Sequence, residues 1–304
     1  HPSGSRPRPL ACGQPIRTHP AAEDPRSDNR YGGAMPELPE VETVRAQLEP
    51  LLVGARIIDG DSHPSAKFSQ APEAVGHSVE AVRRRGKYLL IDLLPEQGSR
   101  RELIVHLGMT GGLHMASSPI DDPYRRARWG LDDGRHLVFR DVRRFGRIAV
   151  VASGDHRSLP TLHELGPEPF DPRLDAAAFH ALLARSSRRI KTHLLSQRPI
   201  AGVGNIYADE ALWRSRIHPG ARRVGLERSD RLLDALRAVL AEALEHNGTT
   251  LRDFRTVDGT KGSNQHRLDC YGRSGLPCGR CGSMLTSRVL DQRTSTYCPT
   301  CQAH

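Results

Sequence analysis

The stretch Gly166-Pro167-Glu168-Pro169 separates two kinds of pattern in this 304-residue chain. Upstream of it, short apolar runs at 56–58, 79–82, 88–93, 103–107, 137–139 and 148–151 alternate with clusters of Gly, Pro and Asp. That spacing predicts the strands of an antiparallel sandwich or barrel. Downstream, segments 176–184, 191–197, 205–214 and 230–246 are helical in pattern. The last gathers Leu232, Leu233, Leu236, Val239, Leu240, Ala243 and Leu244 on one face, an ordinary core stripe. Two prolines around one glutamate interrupt either period, so 166–169 reads as a linker. One helix precedes the strands. Val41, Val44, Leu48, Leu51 and Leu52 fall at helical spacing, Glu37, Glu40 and Glu42 lie at the favourable end, and Gly54 is the stop.

Composition narrows the class. The chain carries 44 Lys and Arg against 35 Asp and Glu, a net charge of +9, which favours an anionic partner, most simply nucleic acid. The hydrophobic fraction of 37% leaves room for cores, while no run approaches the ~18 apolar residues of a membrane span. An integral membrane, collagen-like or coiled-coil protein is excluded. Residues 1–34 contain Pro2, Pro7, Pro9, Pro15, Pro20 and Pro25 and almost no consecutive apolar residues. Such a segment buries too little surface to offset its ordering entropy. It lacks a signal peptide's apolar stretch, and Glu23, Asp24 and Asp28 argue against a transit peptide. It reads as a disordered tail or as a translation start placed too early, with Met35 the initiator.

The chemistry-bearing motifs are spread along what remains. Cys278-x-x-Cys281 and Cys298-x-x-Cys301 supply four thiolates joined by a segment able to form a hairpin, the pattern of one closed structural zinc site. Four of six cysteines used this way point to a reducing compartment and leave Cys12 and Cys270 as free thiols. Arg293 falls at or near the hairpin turn, suited either to a DNA phosphate or to solvent. Ala201-Gly202-Val203-Gly204-Asn205-Ile206-Tyr207 joins two helices, suited either to a phosphate at the second helix's start or to a tight connection alone. Arg83-Arg84-Arg85-Gly86-Lys87 and Arg143-Arg144-Phe145-Gly146-Arg147 fit a DNA groove or the charged guard of sheet edges. In Met35-Pro36-Glu37-Leu38-Pro39-Glu40-Val41-Glu42, removal of Met35 leaves Pro36 with a secondary α-amine. An α-amine has a reference pKa of about 7.7–8.0, so much of it is nucleophilic near neutrality. Attack on a sugar C1′ then yields an iminium, with Glu37 placed to shuttle protons. The alternative is a Pro-rich run that simply opens a helix.

In this order, from Met35 to Cys301, the motifs resemble the formamidopyrimidine-DNA glycosylase family of base-excision repair enzymes. The resemblance implies an α+β multidomain fold: an N-terminal two-layer β-sandwich over 36–166, a helical domain with a helix–two-turn–helix element over 167–266, and a zinc-finger hairpin over 267–304, after the tail of 1–35. It implies Pro36 as nucleophile and Schiff-base former, Glu37 as acid/base, and Lys87 on the phosphate beside the lesion, with Arg293 in the same catalytic set. Met109 in Gly108-Met109-Thr110 matches the side chain that enters the duplex when the damaged nucleotide leaves. Arg143 matches the residue facing the orphaned cytosine, and Phe145 the wedge in the stack. His106, Lys191 and Asn205 complete the DNA-binding set.

The resemblance implies a bifunctional glycosylase and AP lyase that removes 8-oxoguanine and formamidopyrimidines and nicks the strand by β,δ-elimination. Its partner is double-stranded DNA with oxidised bases or abasic sites, its one cofactor is structural Zn2+, and its setting is a monomer on the bacterial nucleoid in the cytoplasm, with no membrane. An endonuclease VIII-like enzyme for oxidised pyrimidines, or a non-catalytic binder of damaged DNA, are the alternatives. Two departures stand out. An internal Pro36 is a tertiary amide and cannot form an imine. The loop Asp258-Gly259-Thr260-Lys261-Gly262-Ser263-Asn264 has Ser263 and Asn264 where family members often carry aromatics, its backbone amides still being expected to grip an oxidised purine.

Overall fold

The computed structural model describes residues 1, 35–119 and 121–303. The tail from 2 to 34, and with it Cys12, lies outside the described residues. Helix α1 (Leu38–Leu52) starts on Glu37, with proline in its first turn, and buries Leu38, Val41, Val44, Leu48 and Leu52. Gly54, at φ +88°, turns the chain away in the left-handed region that a side chain would disfavour.

Eight strands follow: β1 (Ile57–Ser62), β2 (His77–Arg85), β3 (Tyr88–Pro95), β4 (Arg101–His106), β5 (Gly111–Ala116), β6 (Arg125–Leu131), β7 (His136–Asp141) and β8 (Arg147–Ala152). They form two antiparallel four-stranded sheets, β1-β6-β7-β5 and β2-β3-β4-β8. Phe68, Trp129, Leu137 and Phe139 pack with Leu89, Ile91, Leu103, Val105 and Ile148 in a single core that also takes in the apolar stripe of α1. The two-layer sandwich expected from the resemblance is therefore present. The outer face of the second sheet, at Tyr88, Leu90, Ile104 and Ala149, is covered by Leu159 and Leu162 around the short helix α2 (Pro160–His163).

The helical part contains α3 (Ala176–Ala184), α4 (Ile190–Leu195), α5 (Asn205–Arg214) and α6 (Leu226–Glu245). The Asp175 side chain caps α3 through the Ala178 amide at 2.8 Å. The apolar face of α6 buries Leu232, Leu233, Leu236, Val239, Leu240 and Ala243 as read from the sequence. The chain ends in the hairpin β9 (Thr286–Leu290) and β10 (Arg293–Tyr297), whose two-residue turn has Asp291 and Gln292 at φ 46° and 67°. The linker is pinned. Glu168 accepts from Arg84 Nη1 (2.8 Å), Arg85 Nη1 (3.0 Å) and the Gly86 amide (2.7 Å), which fixes the strand part to the helical part beside the β2–β3 turn.

Candidate active site and nucleic-acid interface

Glu37 stands where α1 begins and where α5 begins. Its Oε2 accepts from the Gly204 amide at 2.7 Å and its Oε1 from the Ile206 amide at 2.9 Å, so the unsatisfied donors at the start of α5 close on a carboxylate from α1. Gly204 is required there. A Cβ on it would lie 2.4 Å from Glu37 Cδ and 2.4 Å from Lys87 Nζ. Glu37 is 2% exposed. Burial pushes its pKa up, against the opposing pull of the Lys87 charge and the α5 amides, which favours a proton-holding carboxyl.

The other expected catalytic residues gather around it. Lys87, in the β2–β3 turn, is buried, and burial lowers its pKa against the attraction of Glu37 and Glu40 while the nearby Arg293 lowers it further. Arg293 is exposed at the start of β10. His106, at the end of β4, lies with its ring 4.7 Å from that of Tyr88, and its Nδ1 accepts from the Gly108 amide at 3.1 Å. Burial first and the Lys87 charge second bring its pKa down to about 4, so the ring is neutral at neutral pH. Asn205 opens α5, and its buried Oδ1 has no hydrogen-bond partner among the described residues.

Lys191, expected in the DNA-binding set, lies inside the protein. It is 1% exposed, with its ammonium 2.7 Å from Asp209 Oδ1 and donating to the Thr294 carbonyl at 2.7 Å. Asp209 Oδ2 in turn accepts from the Thr296 amide at 2.9 Å. This buried pair ties β10, the strand that Arg293 opens, to α4 and α5. Thr192 and Arg189 reach the hairpin turn as well, both donating to Asp291.

Met109, Arg143 and Phe145 sit on two adjoining loops of the sandwich. Phe145 is 48% exposed, with the Arg143 guanidinium 4.8 Å from its ring centre. Behind these side chains the backbones are locked by Asp141. Its carboxylate accepts from Thr110 Oγ1 (2.6 Å) and from the Gly146 amide (2.7 Å), and Thr110 Oγ1 accepts from the Arg143 amide (3.0 Å). Gly108, at φ +68°, permits the contact, since a Cβ there would be 2.4 Å from the Gly146 nitrogen.

The Cys278, Cys281, Cys298 and Cys301 sulfurs all lie within 4.8 Å of one another. Zinc–thiolate bonds of about 2.3 Å place tetrahedral sulfurs about 3.8 Å apart, so the set fits such an ion. Trp213 Nε1 donates to the Cys278 sulfur (3.4 Å) and the Cys301 amide to that of Cys298 (3.3 Å), contacts suited to thiolates. Cys270 is a buried free thiol beside this cluster and donates to the Thr296 carbonyl.

In the loop 258–264, five of the amides expected to grip a base have partners within the protein. The amides of Gly259, Thr260, Gly262, Ser263 and Asn264 are already bonded, to Thr256 O, Asp258 Oδ1, Thr250 Oγ1, His246 O and Gly248 O. They are not free to grip a base in this arrangement. Sequence reading also missed buried polar residues behind the site. Glu40 accepts from the Glu37 amide (2.8 Å), the Tyr207 hydroxyl (2.6 Å) and the Thr249 amide (2.6 Å), and burial, then Glu37, raise its pKa to about 7. Glu210 receives the amides of Asp269, Cys270 and Tyr271 and is raised by burial to about 7. The one signal available was Glu40 three residues after Glu37, the spacing of a capping box.

Comparison with known proteins agrees with this geometry along the chain. Residues 35–148 match the formamidopyrimidine-DNA glycosylase N-terminal domain, 165–255 the H2TH domain of the same enzymes, and 275–303 a zinc finger found in FPG and IleRS. A formamidopyrimidine-DNA glycosylase of Deinococcus radiodurans is 44% identical over 280 residues, covering 88% of this chain and 97% of its own. The crystal structure of MutM (FPG) from Thermus thermophilus superposes with a TM-score of 0.81 at 46% identity, covering 88% of this chain and 99% of that one. A MutM complex with DNA containing carbocyclic 8-oxo-G gives 0.79 at 32% identity, with 88% and 100% covered. The chain belongs to the formamidopyrimidine-DNA glycosylase family.

Proposed function

We propose that this protein excises oxidised purines, chiefly 8-oxoguanine and formamidopyrimidines, from duplex DNA and then nicks the strand, with the imino nitrogen of Pro36 as nucleophile. The form that reacts begins at Pro36, because the amide to Met35 removes the nitrogen's basic lone pair. The observation that carries the reading is the carboxyl of Glu37, next in sequence to that nitrogen, sealed from water and with its pKa pushed up by burial. A free amine and a proton-bearing acid on consecutive residues match the demands of imine formation at a sugar.

The Pro36 nitrogen bonds to C1′, the glycosidic bond breaks, and the departing base takes the amine's proton. Glu37 gives its proton to O4′ as the C1′–O4′ bond opens, leaving an iminium. That electron sink acidifies C2′, so loss of a C2′ proton expels the 3′ phosphate and a further elimination expels the 5′ phosphate. Lys87 and Arg293 hold positive charge beside the reacting sugar, where His106 and Asn205 offer neutral partners to the backbone. Met109 and Phe145 fill the stack vacated by the extruded nucleotide, and Arg143 faces the widowed base; apolar wedges of this kind offset an unstacking cost of a few kcal/mol. The four cysteines hold one zinc, which braces the hairpin and takes no part in the reaction. The protein acts as a monomer on the nucleoid.

The test uses protein beginning at Pro36 and duplexes carrying 8-oxoguanine, thymine glycol or an abasic site. The expected result is cleavage of the 8-oxoguanine strand, faster than that of thymine glycol, leaving phosphates at both ends of the gap. Preference for thymine glycol transfers the protein to the oxidised-pyrimidine class. Tight binding without cleavage of any duplex makes it a clamp on damaged DNA.

A further inference from the structure

Behind the reactive residues runs a chain of hydrogen bonds whose direction is fixed by its donors. Asn264 Nδ2 donates to Thr249 Oγ1 at 2.9 Å. The Tyr207 hydroxyl has one proton and spends it on Glu40 Oε1 at 2.6 Å, so the 3.0 Å contact between Tyr207 and Thr249 is donated by the threonine. Glu40 Oε2 ends the relay on the Glu37 amide at 2.8 Å. Asn264, Thr249, Tyr207 and Glu40 are 4%, 4%, 1% and 1% exposed, so water does not substitute for a lost partner. The backbone is shaped around the relay. Gly248 has φ +79° and a Cβ on it would strike Glu40 at 2.8 Å, while the Asn264 amide donates to the Gly248 carbonyl.

We propose that Asn264 is a positioning residue for the reactive end of the chain, acting through Thr249, Tyr207 and Glu40 on the peptide that joins Pro36 to Glu37. The proposal rests on the function assigned above to Pro36 and Glu37. Each donor in the relay is polarised by the one behind it, and the last acceptor holds the residue that carries the acid. Removing Asn264 leaves the threonine oxygen without its donor and loosens the orientation of that peptide, with no group removed from the DNA surface.

The experiment measures single-turnover cleavage of an abasic-site duplex, and affinity for a duplex with a non-cleavable abasic analogue, using protein that begins at Pro36. Asn264→Leu keeps the branched side-chain framework, somewhat enlarged, and deletes the donor. It is expected to slow cleavage about tenfold with affinity unchanged, and Thr249→Val is expected to do the same. The double variant should be no slower than the slower single one, because both cut one chain. Wild-type cleavage of the abasic duplex establishes the underlying reading separately. Normal cleavage by Asn264→Leu with a defect only in Asn264→Ala means that packing alone matters and overturns the proposal. Additive losses, or losses that follow DNA affinity or the melting temperature, overturn it as well.

Discussion

Around Glu37 the side chains themselves are fixed, whereas in the loops carrying Met109, Arg143 and Phe145 only the backbone is. The Glu37 carboxyl is enclosed by the start of α5 and by Lys87, with Glu40 holding its amide. Phe145 is half-exposed, with the cations of Lys67 and Arg143 5.9 and 4.8 Å from its ring centre, while Asp141 and Thr110 hold the chain beneath it. Reaction at a sugar requires an acid set in place before the substrate arrives, because reorganising it during the reaction adds to the barrier. Probing a duplex instead requires side chains able to exchange solvent for bases at a place the backbone dictates.

The contrast is broken most severely at the acid. Glu37→Gln keeps the shape but holds no transferable proton, and ring opening, read as strand nicking in a single-turnover assay, is expected to fall about 10³-fold, within the usual range for general acid catalysis. Unchanged nicking would remove Glu37 from the chemistry. Next in size is the zinc hairpin. Cys298→Ala, or metal removal by a chelator, is expected to release Arg293 from its position and weaken duplex affinity at least about tenfold, since structural zinc sites contribute folding energy directly. Affinity equal to that of the intact protein would show that the hairpin does not grip DNA.

The loops sharpen the contrast through a paired substitution. Asp141→Ala strands buried donors and is expected to cost about 1–3 kcal/mol in denaturant unfolding. Phe145→Ala is expected to leave stability within about 0.5 kcal/mol, as exposed positions do, while weakening affinity for DNA with an abasic analogue. Equal stability losses from both would contradict the division between fixed backbone and free side chain.

The smallest effect concerns pH. Burial, with the Glu37 carboxyl beside it, pushes the Glu40 pKa up to about 7. A carboxyl raised in the folded state contributes stability below its unfolded value that is lost as pH rises through the folded one. Glu40→Gln should therefore flatten the decline in melting temperature between about pH 4.5 and 7 relative to the unaltered protein. An identical slope in the two proteins would mean that Glu40 titrates normally.

Much of this was legible from residue patterns. Helices α3 and α5 occupy the expected segments 176–184 and 205–214, and the cysteine spacing identified the cluster before any coordinates did. Strands β5 and β6 were missed for physical reasons. The first opens with Gly111-Gly112, which weakens any strand signal. The second contains Arg125, Arg126 and Arg128, charges that suggest a surface loop; yet Arg128 pairs with Asp59 and Asp61 across the sheet, and Arg126 is buried against the Asp141 carbonyl. Lys191, Asp209 and Glu210 were unreadable in the same way. Charged residues are rarely fully buried, and only tertiary structure supplies the partners that make burial tolerable.

Borohydride trapping on an abasic-site duplex, followed by peptide mass analysis of the protein beginning at Pro36, tests the central claim most directly. The account predicts one reduced adduct, with the sugar remnant on the N-terminal peptide at the Pro36 nitrogen. A remnant on Lys87 or any other side chain, or no adduct from folded, zinc-loaded protein that binds the duplex, would contradict it.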